Sequence, residues 1–306
     1  MKERIEEKGL WLWVVAAMAA PFGQWLGSAP WLWVMGASLA VGILFLGARK
    51  LTGEAEPGKL LASLQLLFLI IIVGVTASHT GDCWLTAKVQ WIIPATLLVL
   101  AACAASGGNA VGQRAGATLF WFVALGFGVL LLFALPDVCL PYLRPAQGKI
   151  TVLPVLLLPG VCLLLPRKKG KTPWALPLVI TGLAGLISGI TAGVLSPGVA
   201  ARTSGAFMEM VRGIRVMEAA ERLEAVAAAV MTLSWFCVLS LLLSAAGHMG
   251  EQIFPGKRKF FVWFTAGLGG GLSIFSEEIS ASILGLAAVI LWYILPAAKH
   301  LRKRRH

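Results

Sequence analysis

Residues 152–166 read VLPVLLLPGVCLLLP, a stretch that is apolar enough for a membrane yet carries residues that interrupt helices. Eleven of its fifteen residues are aliphatic or Cys, and the other four are three prolines and one glycine. A proline inside a helix removes a backbone donor and clashes with the carbonyl four residues before it. We therefore expect this segment to lie in a membrane and to be broken at Leu158-Pro159-Gly160.

The composition of the whole chain also indicates a membrane protein. Hydrophobic residues make up 58% of its 306 residues, charged residues only 13%, and the mean hydropathy is +0.84. A spanning helix needs about 20 apolar residues, and no run alternates as barrel strands do. The sequence therefore predicts an all-α, polytopic membrane protein of about ten transmembrane helices, forming a single domain over residues 1–306. The ten candidate spans cover roughly residues 10–28, 30–48, 59–78, 84–106, 115–136, 150–166, 173–198, 222–248, 259–275 and 279–298.

Basic residues are divided unequally between the two sides that ten spans would define. The side holding both termini receives 19 of the 26 Lys and Arg residues, and the other side receives 7. Because cytoplasmic loops carry the Lys/Arg excess, we expect both termini in the cytoplasm. The net charge of +12 and the tail KHLRKRRH, residues 299–306, then reflect topology and attraction to anionic lipid rather than a nucleic-acid partner.

The sequence lacks the motifs of common catalytic and metal sites. It contains no H-E-x-x-H, P-loop, G-x-S-x-G or paired metal ligands, and its four histidines are isolated. We therefore expect no enzymatic activity, no cofactor and no metal. Five scattered cysteines form no C-x-x-C; Cys83 and Cys139 lie near outer loops and could pair, the alternative being free thiols.

Two of the predicted spans carry helix-breaking residues at matching places. The first span contains Pro21-Phe22-Gly23 and the sixth contains Pro159-Gly160. A chain built from two five-span repeats, approximately 10–136 and 150–298, would place both breaks in corresponding spans. Transporters with inverted repeats bind their substrates at the midplane, where two such helices unwind. The alternative is a chance coincidence, because Pro and Gly are common in this chain.

Small residues on the seventh span predict a close helix–helix contact. Gly185, Gly189 and Gly193 are four residues apart and so share one helix face. Glycines in this arrangement let a neighbouring membrane helix approach closely. We expect them to have a structural role.

The connection between the seventh and eighth spans, from Arg202 to Glu224, is rich in both acidic and basic residues. Their spacing suits local pairing on a solvated outer helix that leads into the membrane. Alternatively, Arg222 and Glu224 lie deep enough to pair with another helix, which would mark them as functional residues.

Four segments in order resemble the B subunit of spore germination receptors, the GerAB-type family, which is related to the amino acid–polyamine–cation (APC) transporter superfamily. WIIPATLLVLAACAASGGNAVGQR, 91–114, resembles the family's fourth span and a following loop that ends in Gly and then Arg, here Arg114. LPDVCLPYLRP, 135–145, resembles its Pro-Asp and Leu-Pro pattern, with Asp137. VLPVLLLPGVCLLLPRKK, 152–169, resembles its sixth span and basic inner loop, and RGIRVMEAAERLEAVAAAVMTLSW, 212–235, is similar to its "ERLE" signature.

This resemblance implies an APC-like fold of ten spans in two inverted five-span repeats, with spans one and six broken. It also implies a role: binding a small nutrient such as an amino acid and signalling germination. The protein would act in the spore or cell inner membrane, in contact with lipid and with A-type and C-type receptor subunits. The alternatives are an APC amino acid permease and a degenerate, non-transporting scaffold. Because the spans contain few ionisable residues, sensing is favoured over ion-coupled transport.

We expect the ligand to bind at the backbone of the two breaks, helped by side chains of the third and eighth spans. An apolar wall with a few polar groups suits a small zwitterion. In the sixth span, Val161 follows Gly160 where relatives often carry a polar or acidic residue. The expected ligand-binding residues are Ala20, Pro21, Phe22, Gly23, Gln65, Leu158, Pro159, Gly160, Ser234 and Trp235. The charges expected to be structural or gating are Arg114, Asp137, Glu221, Arg222 and Glu224.

Overall fold

The computed structural model describes residues 7–26, 29–52, 58–81, 91–143, 153–166, 175–200, 202–203, 205–214, 220–275 and 281–304. These residues form helices and the turns between them, with no strand in the described ranges. Six of the helices are long and apolar enough to cross a membrane. The chain is therefore an all-helical integral membrane protein.

The helices follow one another in a simple order along the chain. They are α1 Glu7–Pro21 with a π-helical turn Phe22–Leu26, α2 Trp31–Thr52, α3 Lys59–Thr80, α4 Ile92–Ser106, α5 Asn109–Ala134, α6 Leu153–Leu164, α7 Leu176–Leu195, α8 Pro197–Ala200, α9 Ala206–Gly213, α10 Ala220–Ile253, α11 Arg258–Ser273, α12 Ala281–Ala288 with a π-helical turn Val289–Ile294, and α13 Leu295–Arg304. Short 3₁₀ turns at Leu135–Asp137 and Leu140–Leu143 follow α5.

Each of the ten predicted runs contains helix, but not every one is long enough to span by itself. The six long apolar helices lie in runs one, two, three, five, seven and eight. Shorter apolar helices occupy Ile92–Ser106, Val155–Leu164 and Ile283–Lys299. The positions of the runs are confirmed as helical, and a count of ten spans stays a prediction.

Helix α10 forms the centre of the bundle. It packs against α1, α3, α4, α5, α6 and α11. In the apolar windows of α1 and α10, 72% of the residues are buried, compared with 28% for α5 and 33% for α2. Because lipid surrounds only the outer helices, α1 and α10 form the interior, and α2 and α5 form the periphery.

The N-terminal half of α1 is held against α5 and α10 by one tryptophan. Trp13 is fully buried, and its indole Nε1 donates to the hydroxyl of Ser240 on α10 at 3.3 Å. Its ring lies against Gly112 and Gly116 of α5, and a Cβ at Gly112 would lie 2.6 Å from the ring. A side chain larger than hydrogen at either glycine would displace this ring.

The predicted glycine face of α7 is confirmed, and its main partner is α2. A Cβ at Gly185 would lie 2.5 Å from Met35 Cγ, and one at Gly189 would lie 4.0 Å from Trp31 Cβ. Gly193 instead faces Val138, in the segment after α5, at 2.8 Å. The α2–α7 contact is extensive because small residues let the two backbones approach.

The prolines act differently from the sequence prediction. The first helix changes from α to π at Pro21-Phe22, which agrees with an irregular first span. The predicted break at Leu158-Pro159-Gly160 is wrong, because α6 continues through Pro159 as one helix. A second π-helical turn, Val289–Ile294, lies in the tenth run, where no irregularity was predicted.

Candidate functional site

The first candidate region lies where α1 gives way to its π-helical turn. The hydroxyl of Ser234, on α10, donates to the carbonyl of Ala16 at 2.6 Å and accepts from the amide of Ala20 at 2.8 Å. In a regular α-helix these two backbone groups are each other's partners. A side chain inserted into the helical ladder is a known cause of bending. Ser234 therefore supports the irregular backbone that Pro21 begins.

The π-helical turn itself is covered from the α9 side. Phe22 is fully buried. A Cβ at Gly23 would lie 3.3 Å from Met231 Cε and 3.3 Å from the ring of Phe207. Phe207, on α9, also stacks on Phe127 of α5 with ring centroids 4.8 Å apart. The space next to Gly23 is therefore bounded by apolar side chains of α9 and α10.

Aromatic rings continue from this turn toward the end of α3. Trp235 is fully buried beside Ser234, and its ring meets that of Trp25 edge to face at 5.6 Å. Trp25 in turn meets His79 at 5.1 Å. The indole Nε1 of Trp235 has no hydrogen-bond partner among the described residues. Buried polar groups are normally satisfied, and this donor is an exception among the described residues.

The second candidate region surrounds the π-helical turn of the tenth run. The amide of Gln65, on α3, donates to the carbonyl of Leu291 at 3.0 Å. This carbonyl needs a side-chain donor because the Leu295 amide bonds to Ile290 instead and because Pro296 has no N–H. Gln65 is 1% exposed, and its Oε1 has no partner among the described residues.

The α6 residues of the predicted site pack into this second region. A Cβ at Gly160 would overlap the ring of Trp292, and that ring meets Phe68 of α3 edge to face at 5.1 Å. Tyr293 donates its hydroxyl proton to the carbonyl of Leu156 at 3.1 Å. That bond is made within the helical turn of α6 that Pro159 disturbs. Tyr293 of the tenth run therefore supports α6 at its proline.

The predicted ligand residues therefore form two groups. Ala20 is joined directly to Ser234, with Pro21, Phe22, Gly23 and Trp235 in the adjoining segments. Gln65 and Gly160 both adjoin the π-helical turn of the tenth run, whereas Leu158 is fully buried and Pro159 lies within α6. Helix α6 also contacts α1 and the turn Phe22–Leu26, so the two groups are neighbours.

The predicted charges do not converge on either region. Arg114 and Asp137 are exposed. Glu224 accepts a hydrogen bond from Nε of Arg212 on α9 at 3.0 Å, and Arg212 also pairs with Glu209. The side chains of Glu221 and Arg222 lie outside the described residues.

The sequence also raised the questions of a cysteine pairing and of a metal site. Cys139 is exposed, while Cys83 lies outside the described residues, so their pairing stays a prediction. In the described part of the chain, no three His, Cys, Asp or Glu side chains come together as metal ligands.

Sequence reasoning missed several residues that surround these regions. The missed residues contact predicted site residues or their helices, and they are Phe207, Met231, Trp292 and Tyr293. Pro296 was the available signal for the second irregular turn, because it lies near the end of the tenth run and has no N–H to donate to the turn before it. The aromatic and Met residues carried no such signal, because their types are also typical of any apolar core.

Comparison with known proteins gives a likeness of fold. No protein-family model matches the chain, and no curated protein is significantly similar in sequence. Its structure is similar to the crystal structure of MhsT in complex with L-phenylalanine, with a TM-score of 0.61 and 12% sequence identity. The match covers 98% of this chain and 89% of MhsT. At this identity, the comparison shows that the chain has the fold of MhsT.

Proposed function

We propose that this chain is a ligand-sensing membrane subunit of the germinant-receptor B type, which binds an amino acid and passes the signal to partner subunits. The main supporting observation is the bridge that Ser234 makes between Ala16 and Ala20 beside Pro21. It holds an irregular, polar stretch of backbone in the middle of an otherwise apolar bundle. Backbone of this kind is tolerated at membrane depth only where it faces protein or a cavity.

Several helix contacts, although not the α1–α10 contact, fit two inverted repeats of five. If runs one to five correspond to runs six to ten, the α1–α5 contact corresponds to the contact of α6 with α12 and its π-helical turn. The α4–α10 contact corresponds to α11–α3, and α10–α11 to α3–α4. Runs two and seven exchange places in this correspondence, and so do runs three and eight. The α2–α7 and α3–α10 contacts therefore each map onto themselves. Binding sites of repeat-built transporters lie near the repeat interface, which here is the region of α1, α3, α6 and α10.

The polar groups near the first region suit a ligand without net charge. Ser234 and Trp235 are neutral and fully buried, and the Trp235 indole has a donor to offer. A zwitterionic amino acid brings both a carboxylate and an ammonium group, and so it needs hydrogen bonds more than a counter-ion. The apolar surfaces of Phe207 and Met231 would contact its side chain.

The variant Trp235→Phe tests this assignment, because it keeps an aromatic ring but removes the indole donor. We expect binding of the best amino acid to the purified protein to weaken about tenfold, the effect of one lost hydrogen bond to a charged group. Trp11→Phe is the matched control, since Trp11 is also buried in α1 with an indole donor that lacks a described partner. Equal affinity for Trp235→Phe and the wild type would contradict the site.

Sensing and transport are separated by two measurements. In spores, Trp235→Phe should shift the nutrient dose–response for germination to higher concentration. In proteoliposomes containing this chain alone, a sensor should not accumulate labelled amino acid. Uptake that saturates with concentration would instead establish the permease alternative, and binding of no amino acid would leave the scaffold alternative.

A further inference from the structure

The basic end of the bundle contains a buried amide at the start of α5. This end is where α1 and α3 begin and α10 ends, and it carries Lys59, Lys257 and Lys259. Asn109 is the first residue of α5 and is 1% exposed. Gly108 precedes it with a positive φ of 103° and provides no side-chain cap. The first backbone amides of this 26-residue helix therefore lack a capping side chain.

The orientation of the Asn109 amide is fixed by Arg258, the first residue of α11. The guanidinium of Arg258 donates to Oδ1 of Asn109. It reaches there past Gly247 of α10, where a Cβ would lie 3.2 Å from Arg258 Cγ. A guanidinium can only donate, so Asn109 must present its oxygen to Arg258 and keep Nδ2 as a donor. Nδ2 is buried and has no partner among the described residues.

Hydrogen-bond donors and a positive charge therefore lie close together at the start of α5. Nδ2 of Asn109, the uncapped amides that begin α5 and the positive end of the helix dipole all favour an anion. The Arg258 guanidinium, which is positively charged, donates to the same side chain. Ala110 and Gly108 are only half-buried, and Val111 is 45% exposed, so the start of the helix can be reached from outside the bundle.

We propose that the N-terminus of α5 is a binding site for a phosphate group, built by Asn109 Nδ2 and the first amides of the helix and held in place by Arg258. The phosphate could belong to an anionic lipid headgroup or to a free phosphate ion. Both sources present tetrahedral oxygens that accept several hydrogen bonds at once. The site is separate from the proposed amino acid site, which lies around Ser234 and the turn Phe22–Leu26.

Asn109→Asp is a selective test, because aspartate keeps the oxygen that accepts from Arg258 but replaces the Nδ2 donor with a negative oxygen. We expect binding of phosphatidylglycerol to the full-length protein in nanodiscs to weaken at least about tenfold, which is the loss of one charge-assisted bond. Lys59→Gln is the matched control: it lowers the net charge by the same amount at an exposed position of the same end and should bind as the wild type does.

The source of the phosphate is resolved by the choice of probe. Protection from thermal unfolding by inorganic phosphate as well as by phosphatidylglycerol would indicate a free-anion site, and protection by the lipid alone would indicate a headgroup site. Phosphatidylcholine vesicles serve as the neutral comparison. If Asn109→Asp fails to fold, Asn109→Ala removes the donor without adding charge and should weaken binding less. Unchanged binding in Asn109→Asp, or an equal loss in Lys59→Gln, would overturn the proposal.

Discussion

Ser234 and Ala20, which are 214 residues apart in the sequence, are joined by a hydrogen bond of 2.8 Å from the Ala20 amide to the Ser234 hydroxyl. The same hydroxyl donates to Ala16, one helical turn earlier. The Ser234 side chain of the central helix thus replaces the regular backbone hydrogen bond between Ala20 and Ala16 in α1. This hydroxyl therefore supports the irregular first helix.

Replacing Ser234 with Ala should therefore destabilise the protein. The substitution leaves two buried backbone groups without this partner, which we expect to cost about 1–2 kcal/mol and to lower the Tm of the purified protein. Ser244→Ala is the control on the same helix, because Ser244 is equally buried and its hydroxyl has no partner among the described residues. Equal Tm changes in the two variants would show that the bridge has no special role.

Gly160→Ala should disturb the packing of α6 on the tenth run. The added methyl group would overlap the Trp292 ring, and overpacking of this kind typically costs about 1–3 kcal/mol. Gly182→Ala is the control, because nothing lies within 4 Å of a Cβ there. The smaller ring in Gly160→Ala/Trp292→Phe should recover part of the lost Tm. No recovery would mean that the overlap with Trp292 is not the cause.

Gln65→Leu should remove the donor that satisfies the Leu291 carbonyl. We expect a loss of about 1 kcal/mol, the usual size of an interhelical hydrogen bond in a membrane. Pro296→Ala supplies a new backbone N–H in the following turn, and so it should reduce the cost of Gln65→Leu in the double variant. A thermal-unfolding double-mutant cycle measures this coupling. Strict additivity of the two changes would refute the explanation given for the π-helical turn.

The ion pair between Arg212 and Glu224 should hold α9 against the start of α10. Arg212→Glu reverses one charge and should make α9 easier to open, with faster labelling of a cysteine introduced at Met208, a buried position of α9. The charge swap Arg212→Glu/Glu224→Arg should restore slow labelling. Because the pair is about a quarter exposed on each side, the stability effect should stay below about 1 kcal/mol. Arg202→Glu, at an exposed position before α9, is the control.

Much of the architecture follows from local patterns in the sequence. The ten apolar runs predicted where helices form, and the glycines of α7 predicted a close approach that the α2–α7 contact confirms. These features depend on hydropathy and on residue size along a single helix, which are visible in the chain itself. The likeness to MhsT agrees with the expected kind of fold.

The effect of each proline could not be predicted in the same way. Pro21, Pro159 and Pro296 each remove a backbone donor, yet only Pro21 and Pro296 adjoin π-helical turns. The outcome depends on which side chain supports the disturbed turn. Those side chains are Ser234, Tyr293 and Gln65, which are 218, 137 and 226 residues away from the carbonyls they bind. No local pattern contains that information.

The packing of Trp13 against two glycines of α5 restricts how the first helix can move. Since its indole also donates to Ser240, the N-terminal half of the first helix cannot tilt without displacing this ring from between the two glycines. Any swing of the opposite half must then pivot near Ala16–Pro21, where the Ser234 hydroxyl already takes part in the ladder. The first helix is therefore held at its N-terminal half by Trp13, and at its other end its π-helical turn packs beneath Phe207.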